Sequence, residues 1–259
     1  MAITATTDAL RHSLELIEPH LNEFHPPSGT FDPAGAWTQT YRIVPLMLVD
    51  LKVFGGQLKM QRNPRADGAQ IEIEQELRLM KGKDRAQPVG YSQWTKASLL
   101  CGMDLWSTPQ RLTAESWTTS PDGQAQADTR GKFSAEIAGT EIHFSGVRKP
   151  TVRVARDWTL DWTLFDALQR LPTDQPTSWQ LDIVEDCDLV RPRQRLSYAG
   201  PLAAKVAGKE MQLLGFLHYG IGTLPTHYWL DAQHRLLFAI HYFRAFILTS
   251  SISGQNPEK

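Results

Sequence analysis

Apolar residues recur at two different periods along this chain. A stripe at helical spacing marks the N-terminal segment and consists of Leu10, Leu14, Ile17, Leu21 and Phe24. Thr7-Asp8 offers an N-cap for this helix, and Pro19 kinks it or divides it in two. From Trp37 onward the apolar period changes to two, which is typical of strands with one buried face. The pattern therefore predicts one helical segment followed by many strands.

The clearest strand runs from Gln70 to Met80. Four apolar side chains fall on one face, namely Ile71, Ile73, Leu77 and Leu79. Its charged side chains all fall on the other face and are Glu72, Glu74, Glu76 and Arg78. This alternation indicates a sheet with one dry and one wet face, and a solvated face explains the charges without catalysis.

Turn signals divide the remaining strands. Gly55-Gly56 is interpreted as a turn, and Lys81 to Pro88 as a charged loop. Ala138-Gly139 and Ala207-Gly208 each predict a tight hairpin. Pro45 interrupts the apolar run from Thr40 to Val53, which suggests an edge strand or a bulge.

A second helix signal interrupts the strands. Asp161 is a possible N-cap, apolar residues follow on one side, and Pro172 ends the helix after Leu171. Few helices among about ten strands exclude a doubly wound fold. We therefore predict a mainly β protein, in which a strongly curved antiparallel sheet, a barrel or half-barrel, packs on this short helix. The predicted division is residues 1–36 as a helical segment and loop, and residues 37–259 as a single β domain.

The stretch from Gly215 to Thr249 is rich in aromatic residues and histidines. It predicts two long strands joined by a turn at Asp231 to His234. Four of the eight histidines of the chain lie here, at positions 218, 227, 234 and 241. If His227 and His241 lie on paired strands, they could approach each other near Asp231. Two histidines and a carboxylate could then bind a transition metal, or a His–Asp pair could act as acid and base. Structural, hydrogen-bonded histidines are the alternative, and the spacing matches no known metal-ligand pattern.

Composition excludes several classes of function. The chain has 259 residues and a net charge of −1, so it has no bulk attraction to nucleic acid. Its two cysteines, Cys101 and Cys187, lack metal-binding spacing, and we predict no metal and no cofactor. No apolar run is long enough to span a bilayer. No signal peptide is visible, so a cytoplasmic location is the default, or an exported one if a leader has been removed.

One segment resembles a known family. Tyr228-Trp-Leu-Asp-Ala-Gln-His-Arg-Leu-Leu follows Gly220 to Pro225 and precedes a long apolar strand. This pattern resembles a hairpin motif of bacterial lipoprotein-carrier-like half-barrel proteins and of related uncharacterised domains. The resemblance covers about 35 residues and implies a concave apolar face that can hold an acyl chain. It implies no catalytic residues.

Three hypotheses follow from these patterns. The first is a protein that binds an apolar small molecule or a lipid between a concave sheet and a helix. The residues predicted to contact this ligand are Trp158, Trp162, Phe165, Tyr228 and Trp229. The second is an enzyme on a small organic substrate that uses His227, His241 and Asp231. The third is an interaction module without a ligand, and the sequence does not decide the oligomeric state.

Overall fold

The computed structural model describes residues 2–46, 53–79, 90–146, 151–187, 189–241 and 243–254. These residues form two α-helices, α1 (Ala2–Ile17) and α2 (Asp161–Arg170), and two short 3₁₀ helices, Glu18–His20 and Ala127–Thr129. The strands are β1 (Trp37–Pro45), β2 (Val53–Arg65), β3 (Gly68–Leu79), β4 (Ser92–Gly102), β5 (Pro109–Thr119), β6 (Gly131–Ala138), β7 (Glu141–Gly146), β8 (Thr151–Arg153), β9 (Trp158–Leu160), β10 (Thr177–Glu185), β11 (Leu189–Val206), β12 (Lys209–Gly220), β13 (Thr223–Leu230), β14 (Leu236–His241) and β15 (Arg244–Ser253). Within the described ranges, no helix has the length and apolar composition needed to cross a membrane.

All fifteen described strands belong to one sheet. Their order is β8-β7-β6-β5-β4-β3-β2-β1-β15-β14-β13-β12-β11-β10-β9. Each strand therefore lies beside its sequence neighbours, except that β1 pairs with β15 in the middle of the sheet. The pairs are antiparallel apart from β9 and β10, which run parallel because α2 connects them. The predicted antiparallel sheet is confirmed, with this one parallel pair at its edge.

The sheet is strongly curved, because a short segment of chain connects the strands at its two edges. β8 ends at Arg153 and β9 begins at Trp158, yet these strands lie at opposite edges of the sheet. A flat sheet with this number of strands would separate its edges by roughly 67 Å. The five Cα steps from Arg153 to Trp158 can span at most about 19 Å. The sheet must therefore curve back on itself as an open barrel.

Helix α2 lies against the concave inner face. The Phe165 ring makes edge-on contacts with Tyr41 at 5.5 Å, Tyr228 at 6.3 Å and Phe246 at 5.5 Å between ring centroids. These partners come from β1, β13 and β15, so one side chain of α2 touches three strands. The prediction of a short helix packed on a curved sheet is confirmed, and the helix ends at Arg170, one residue before the predicted end.

A buried polar network joins α2 to the opposite wall of the barrel. Arg62 on β2 places its Nε 2.9 Å from Asp166 Oδ1, and both side chains are almost fully buried. Arg170 donates to the other carboxylate oxygen of Asp166 at 3.2 Å. Ser107, in the connection between β4 and β5, donates its hydroxyl to the same oxygen. Asp166 therefore ties the helix to two separate parts of the sheet.

Helix α1 covers part of the convex outer face. All five residues of the predicted stripe, from Leu10 to Phe24, are buried. Phe24 contacts Phe238 of β14 at 4.8 Å, and the indole nitrogen of Trp229 donates to Ser13 Oγ at 3.0 Å. The helix begins at Ala2 rather than at the predicted cap, because no Gly or Pro interrupts the first turn. A 3₁₀ turn with Pro19 near its start then follows α1.

Two other sequence-based expectations are wrong. Gly55 and Gly56 do not form a turn but lie inside β2. A Cβ on Gly56 would lie 1.9 Å from the carbonyl oxygen of Glu76, so glycine permits the close approach of β3. The stretch from Gly215 to Thr249 contains parts of four strands rather than two, because the chain also turns near Gly222 and after His241. The turn at Asp231 to His234 is confirmed as the connection between β13 and β14.

Parts of two sequence-based expectations lie outside the described residues. These are the charged loop from Lys81 to Pro88 and the segment from Met47 to Lys52 of the predicted apolar strand.

Both hairpins, at Ala138-Gly139 and at Ala207-Gly208, are confirmed. Cys101 and Cys187 are buried, and no disulfide joins them in the described structure.

Candidate functional site

A cavity of about 390 Å³ lies on the inner face, beside the N-terminal end of α2. This volume falls within the range of small-molecule sites in proteins. Its walls come from α2, from β2 and β3, and from the strands between β10 and β15. The apolar side chains that line it include Leu58, Leu77, Leu164, Phe165 and Ile183. The cavity therefore lies where the concave sheet and its helix leave space between them.

Two rows of side chains cross the cavity wall. Tyr228, Ala239 and Phe246 are cross-strand neighbours on β13, β14 and β15, and we call them the apolar row. The polar row lies two residues further along the same strands and extends onto β12. It consists of His218, Thr226, His241 and Arg244. Side chains two residues apart share a face and lie about 7 Å apart along a strand. The cavity wall is thus apolar at one level and polar at the next.

Both histidines of the polar row are held neutral. Burial lowers the pKa of His218 to about 4, and the nearby His241 adds to this effect. Burial also lowers the pKa of His241, and the positive charge of Arg244 lowers it further. His218 Nε2 lies 3.1 Å from Gln194 Oε1, and the Gln194 amide nitrogen donates to the Pro192 carbonyl oxygen at 3.1 Å. This orientation of the amide places the His218 proton on Nε2.

An acidic group lies at the same end of the cavity. The Asp161 carboxylate accepts hydrogen bonds from the backbone N–H groups of Trp162 at 2.9 Å and Asp186 at 3.3 Å. Burial raises the pKa of Asp161 to about 7, with a further contribution from the Asp186 charge. Glu185 is paired with Arg191 at 2.8 Å. Among the described residues, no group of three or more His, Cys, Asp or Glu side chains is arranged to hold a metal ion.

The structure brings together half of the residues that the sequence singled out. Those that line the cavity are Trp162, Phe165, Tyr228 and His241. Trp158 is buried in the core and does not line the cavity. Trp229 lies on the outer face beneath α1, because successive residues of a strand point to opposite faces. Trp158 and Trp229 therefore stabilise the fold rather than contact this space.

The predicted acid–base pair does not form. His227 pairs in register with Ile240, whereas His241 pairs with Thr226, so the two imidazoles lie on opposite faces of the sheet. Burial lowers the pKa of His227 to about 4 on the outer side. Asp231 caps the turn after β13 by accepting the backbone N–H of Arg235 at 2.9 Å. The three residues of this predicted site therefore occupy separate places, and His241 is the one that lines the cavity.

Sequence reasoning missed most of the polar groups in the cavity, among them Asp161, His218, Thr223 and Arg244. A usable signal was present in the two-residue alternation. Tyr228 is a predicted ligand contact, and Thr226, two residues earlier on β13, lies on the same face of the sheet. The cross-strand partners of Thr226 could not be found in the same way, because the register between strands is not a local property of the sequence.

A second, more open depression of about 600 Å³ lies on the outer face across β2 to β7. It is larger than the cavity, but its charges neutralise one another. Lys96 lies 3.2 Å from Glu74, and Lys132 lies 3.8 Å from Glu115, with Arg130 on the same carboxylate. A surface of paired charges is typical of a solvated sheet face. We therefore consider the smaller inner cavity as the candidate site.

Comparison with solved structures supports the fold. The chain is similar to a beta-barrel-like protein of the DUF1849 domain of unknown function from Brucella abortus, with a TM-score of 0.55 and 9% identity. The match covers 86% of this chain and 99% of that one. A DUF1089 family protein from Pseudomonas aeruginosa matches more weakly, at a TM-score of 0.36 and 12% identity, over 83% of this chain and 94% of that one. No family model and no curated protein matches this chain.

These structures bear on the family resemblance stated above. The DUF1849 protein is a barrel-like domain of unknown function, which agrees with the expected likeness to uncharacterised barrel domains. Its name does not refer to a lipoprotein carrier. At 9% identity the likeness extends to the fold alone.

Proposed function

We propose that this protein binds an apolar small molecule or a lipid in the inner cavity. The observation that carries the proposal is the cavity of about 390 Å³ between α2 and the concave sheet. Apolar side chains from α2 and from several strands form part of its lining, so a ligand would bury apolar surface against them. Burial of apolar surface contributes roughly 25 cal/mol per Å².

The proposed contacts are Trp162 and Phe165 on α2 and Tyr228 on β13. Phe165 already packs edge-on against Tyr228 and Phe246, so its ring is held in one orientation. Trp162 is partly exposed and lies one helical turn before the buried Asp166. Rigid aromatic walls favour binding, because little side-chain freedom is lost when the ligand enters.

Native mass spectrometry of freshly purified protein, compared with the denatured mass, tests for a ligand that copurifies. Titration with the neutral fluorescent probe N-phenyl-1-naphthylamine tests the empty cavity. Ala239→Phe places a ring among the cavity-lining side chains and should weaken probe binding at least tenfold. Ala203→Phe makes the same change at an exposed position of β11 and should leave binding unchanged.

A second blocking variant guards against a simple folding defect. Leu224 lies at the cavity and is 40% exposed, so Leu224→Trp enlarges a side chain there without disturbing the core. Both blocking variants should keep the circular dichroism spectrum of the unmodified protein. Equal probe binding by all four proteins, or no binding and no copurified mass, would reject the proposal. The absence of binding would favour a ligand-free interaction module.

A further inference from the structure

Two buried polar groups that line the cavity have no hydrogen-bond partner among the described residues. His241 Nδ1 is buried and has no hydrogen-bond partner in the described structure. The hydroxyl of Thr223, at the start of β13, is also buried without a partner. Both residues line the cavity. A buried polar group without a partner is unfavourable, and a ligand in the cavity would supply the partner that these two groups lack.

Arg244 adds a positive charge beside these groups. It is the cross-strand neighbour of His241 on the same face. Its guanidinium lies 5.7 Å from the centroid of the Phe246 ring, and no carboxylate lies within ion-pair distance among the described residues. Arg191, the other arginine of the cavity wall, is instead paired with Glu185. Arg244 is therefore the cation of this wall that remains available to a ligand.

The acidic residues nearby compete weakly for this charge. Each carboxylate oxygen of Asp161 already accepts a backbone N–H. The Arg244 charge lowers the pKa of Asp161, but burial has the larger effect and raises this pKa to about 7. Asp186 is exposed in the turn after β10, where water screens its charge. Glu185 is held by Arg191. The neutral His241, with its proton on Nδ1, can donate a hydrogen bond to an anion beside Arg244.

We infer that the cavity takes a single-chain amphiphile whose apolar chain lies along the apolar row and whose anionic head lies against Arg244, His241 and Thr223. This inference rests on the proposed function and specifies its ligand class. The two rows are about 7 Å apart, so a chain on one row places its end group beside the other. A guanidinium with neutral donors around it suits a carboxylate or a phosphate.

A series of ligands with one chain and different heads tests this inference. Laurate, dodecyl phosphate, dodecanol and dodecylamine are titrated below their micellar concentrations by isothermal calorimetry. We expect laurate or dodecyl phosphate to bind at least tenfold more tightly than dodecanol, and dodecylamine to bind most weakly. The ratio of laurate to dodecyl phosphate affinity then identifies which anionic head fits.

Substitution of the arginine separates charge from packing. Arg244→Gln should reduce laurate affinity at least tenfold and change dodecanol affinity less than threefold. Arg195→Gln is the matched control, because Arg195 also lies over an aromatic ring, Tyr219 at 6.0 Å, but outside the cavity. His241→Phe should weaken laurate binding with a smaller effect on dodecanol.

The outcomes distinguish the two proposals. If dodecanol or dodecylamine binds as tightly as the better of laurate and dodecyl phosphate, the anionic head is wrong while the apolar cavity stands. If Arg244→Gln weakens all four ligands equally, the arginine acts through packing, and the inference is also overturned. If none of the four ligands binds and the neutral probe does not bind either, the proposed function itself fails.

Discussion

Arg62 and Asp166 form an ion pair across the interior of the barrel, with 2.9 Å between Arg62 Nε and Asp166 Oδ1. Their side chains are 6% and 1% exposed, so water screens the pair very little. The two residues are more than 100 positions apart in the chain, on β2 and on α2. Loss of Asp166 would leave the buried Arg62 guanidinium without its carboxylate partner.

We expect Asp166→Ala to reduce the free energy of unfolding by about 3–5 kcal/mol, because Arg62 and Arg170 lose their common partner. Urea denaturation followed by tryptophan fluorescence measures the change. Glu141→Ala is the control, since it removes an ion pair with Arg153, whose side chain is 83% exposed. That change should cost less than about 1 kcal/mol. Similar losses for both variants would contradict a buried network.

The attachment of α1 to the sheet gives a second prediction. Ser13 is 1% exposed, accepts the indole N–H of Trp229 and donates to the Leu10 carbonyl oxygen at 2.6 Å. Ser13→Ala leaves the indole N–H buried without a partner and should cost about 1–3 kcal/mol of unfolding free energy. Ser145→Ala, at an exposed serine pair with Ser134, should change stability by about 0.5 kcal/mol or less. Thermal denaturation compares the two variants, and an equal effect would count against the contact.

The glycine inside β2 gives a third prediction. A Cβ on residue 56 would lie 1.9 Å from the Glu76 carbonyl oxygen, so Gly56→Ala must push β3 away from β2. We expect a loss of more than about 2 kcal/mol in unfolding free energy. In Gly208→Ala the new Cβ meets no atom within 4 Å, and only the positive φ of 79° is unfavourable. That control should cost about 1 kcal/mol, and a larger loss there than at Gly56 would refute the steric explanation.

The buried histidines make stability fall on acidification. The pKa values of His218 and His227 are lowered to about 4 in the folded protein, below the ordinary value of 6.5. The unfolded chain therefore binds more protons between pH 6.5 and pH 4, and the unfolding free energy decreases as the pH falls through this window. Each histidine contributes a slope of up to about 1.4 kcal/mol per pH unit. Urea titrations of His227→Gln at several pH values should show a reduced slope, and an unchanged slope would show that His227 is accessible to protons.

Asp161 acts in the opposite direction. Its folded pKa of about 7 lies above the ordinary value of 3.8, so the folded protein binds more protons between these two pH values. Its contribution to stability is present at low pH and is lost as the pH rises through about 7. Asp161→Asn should therefore gain stability relative to the unmodified protein as the pH rises from 4 to 7. A constant difference between the two proteins over this range would contradict the raised pKa.

The elements that the sequence predicted well are those with a local signal. The stripe from Leu10 to Phe24 and the alternation from Ile71 to Arg78 both depend on residues within a few positions of one another. The Asp161 helix had a clear start and a proline after its end. Such periods are read from the chain without knowledge of what packs against them.

The sequence does not show which face of the sheet each side chain of the C-terminal strands occupies. Tyr228, Trp229 and Leu230 are all buried, because α2 covers one face of the sheet and α1 the other. With both faces dry, alternation no longer identifies the face, so the sequence did not show that Trp229 and His227 lie on the outer one. Gly56 does not form the predicted turn, because its role is to let the backbone of β3 approach closely. This contact joins residues far apart in the sequence, so no local pattern indicates it.

The place of β1 in the sheet has a consequence for the growing polypeptide. One neighbour of β1 is β2, but the other is β15, with Trp37 opposite Ser253. At about 5–20 residues per second, more than 200 residues of synthesis take roughly 10–40 seconds. During that time one side of β1 presents unpaired backbone groups to other nascent chains. A chain truncated before Arg244 would lack β15 and would therefore form two separate sheets, β8 to β1 and β14 to β9, with no strand pairing between them.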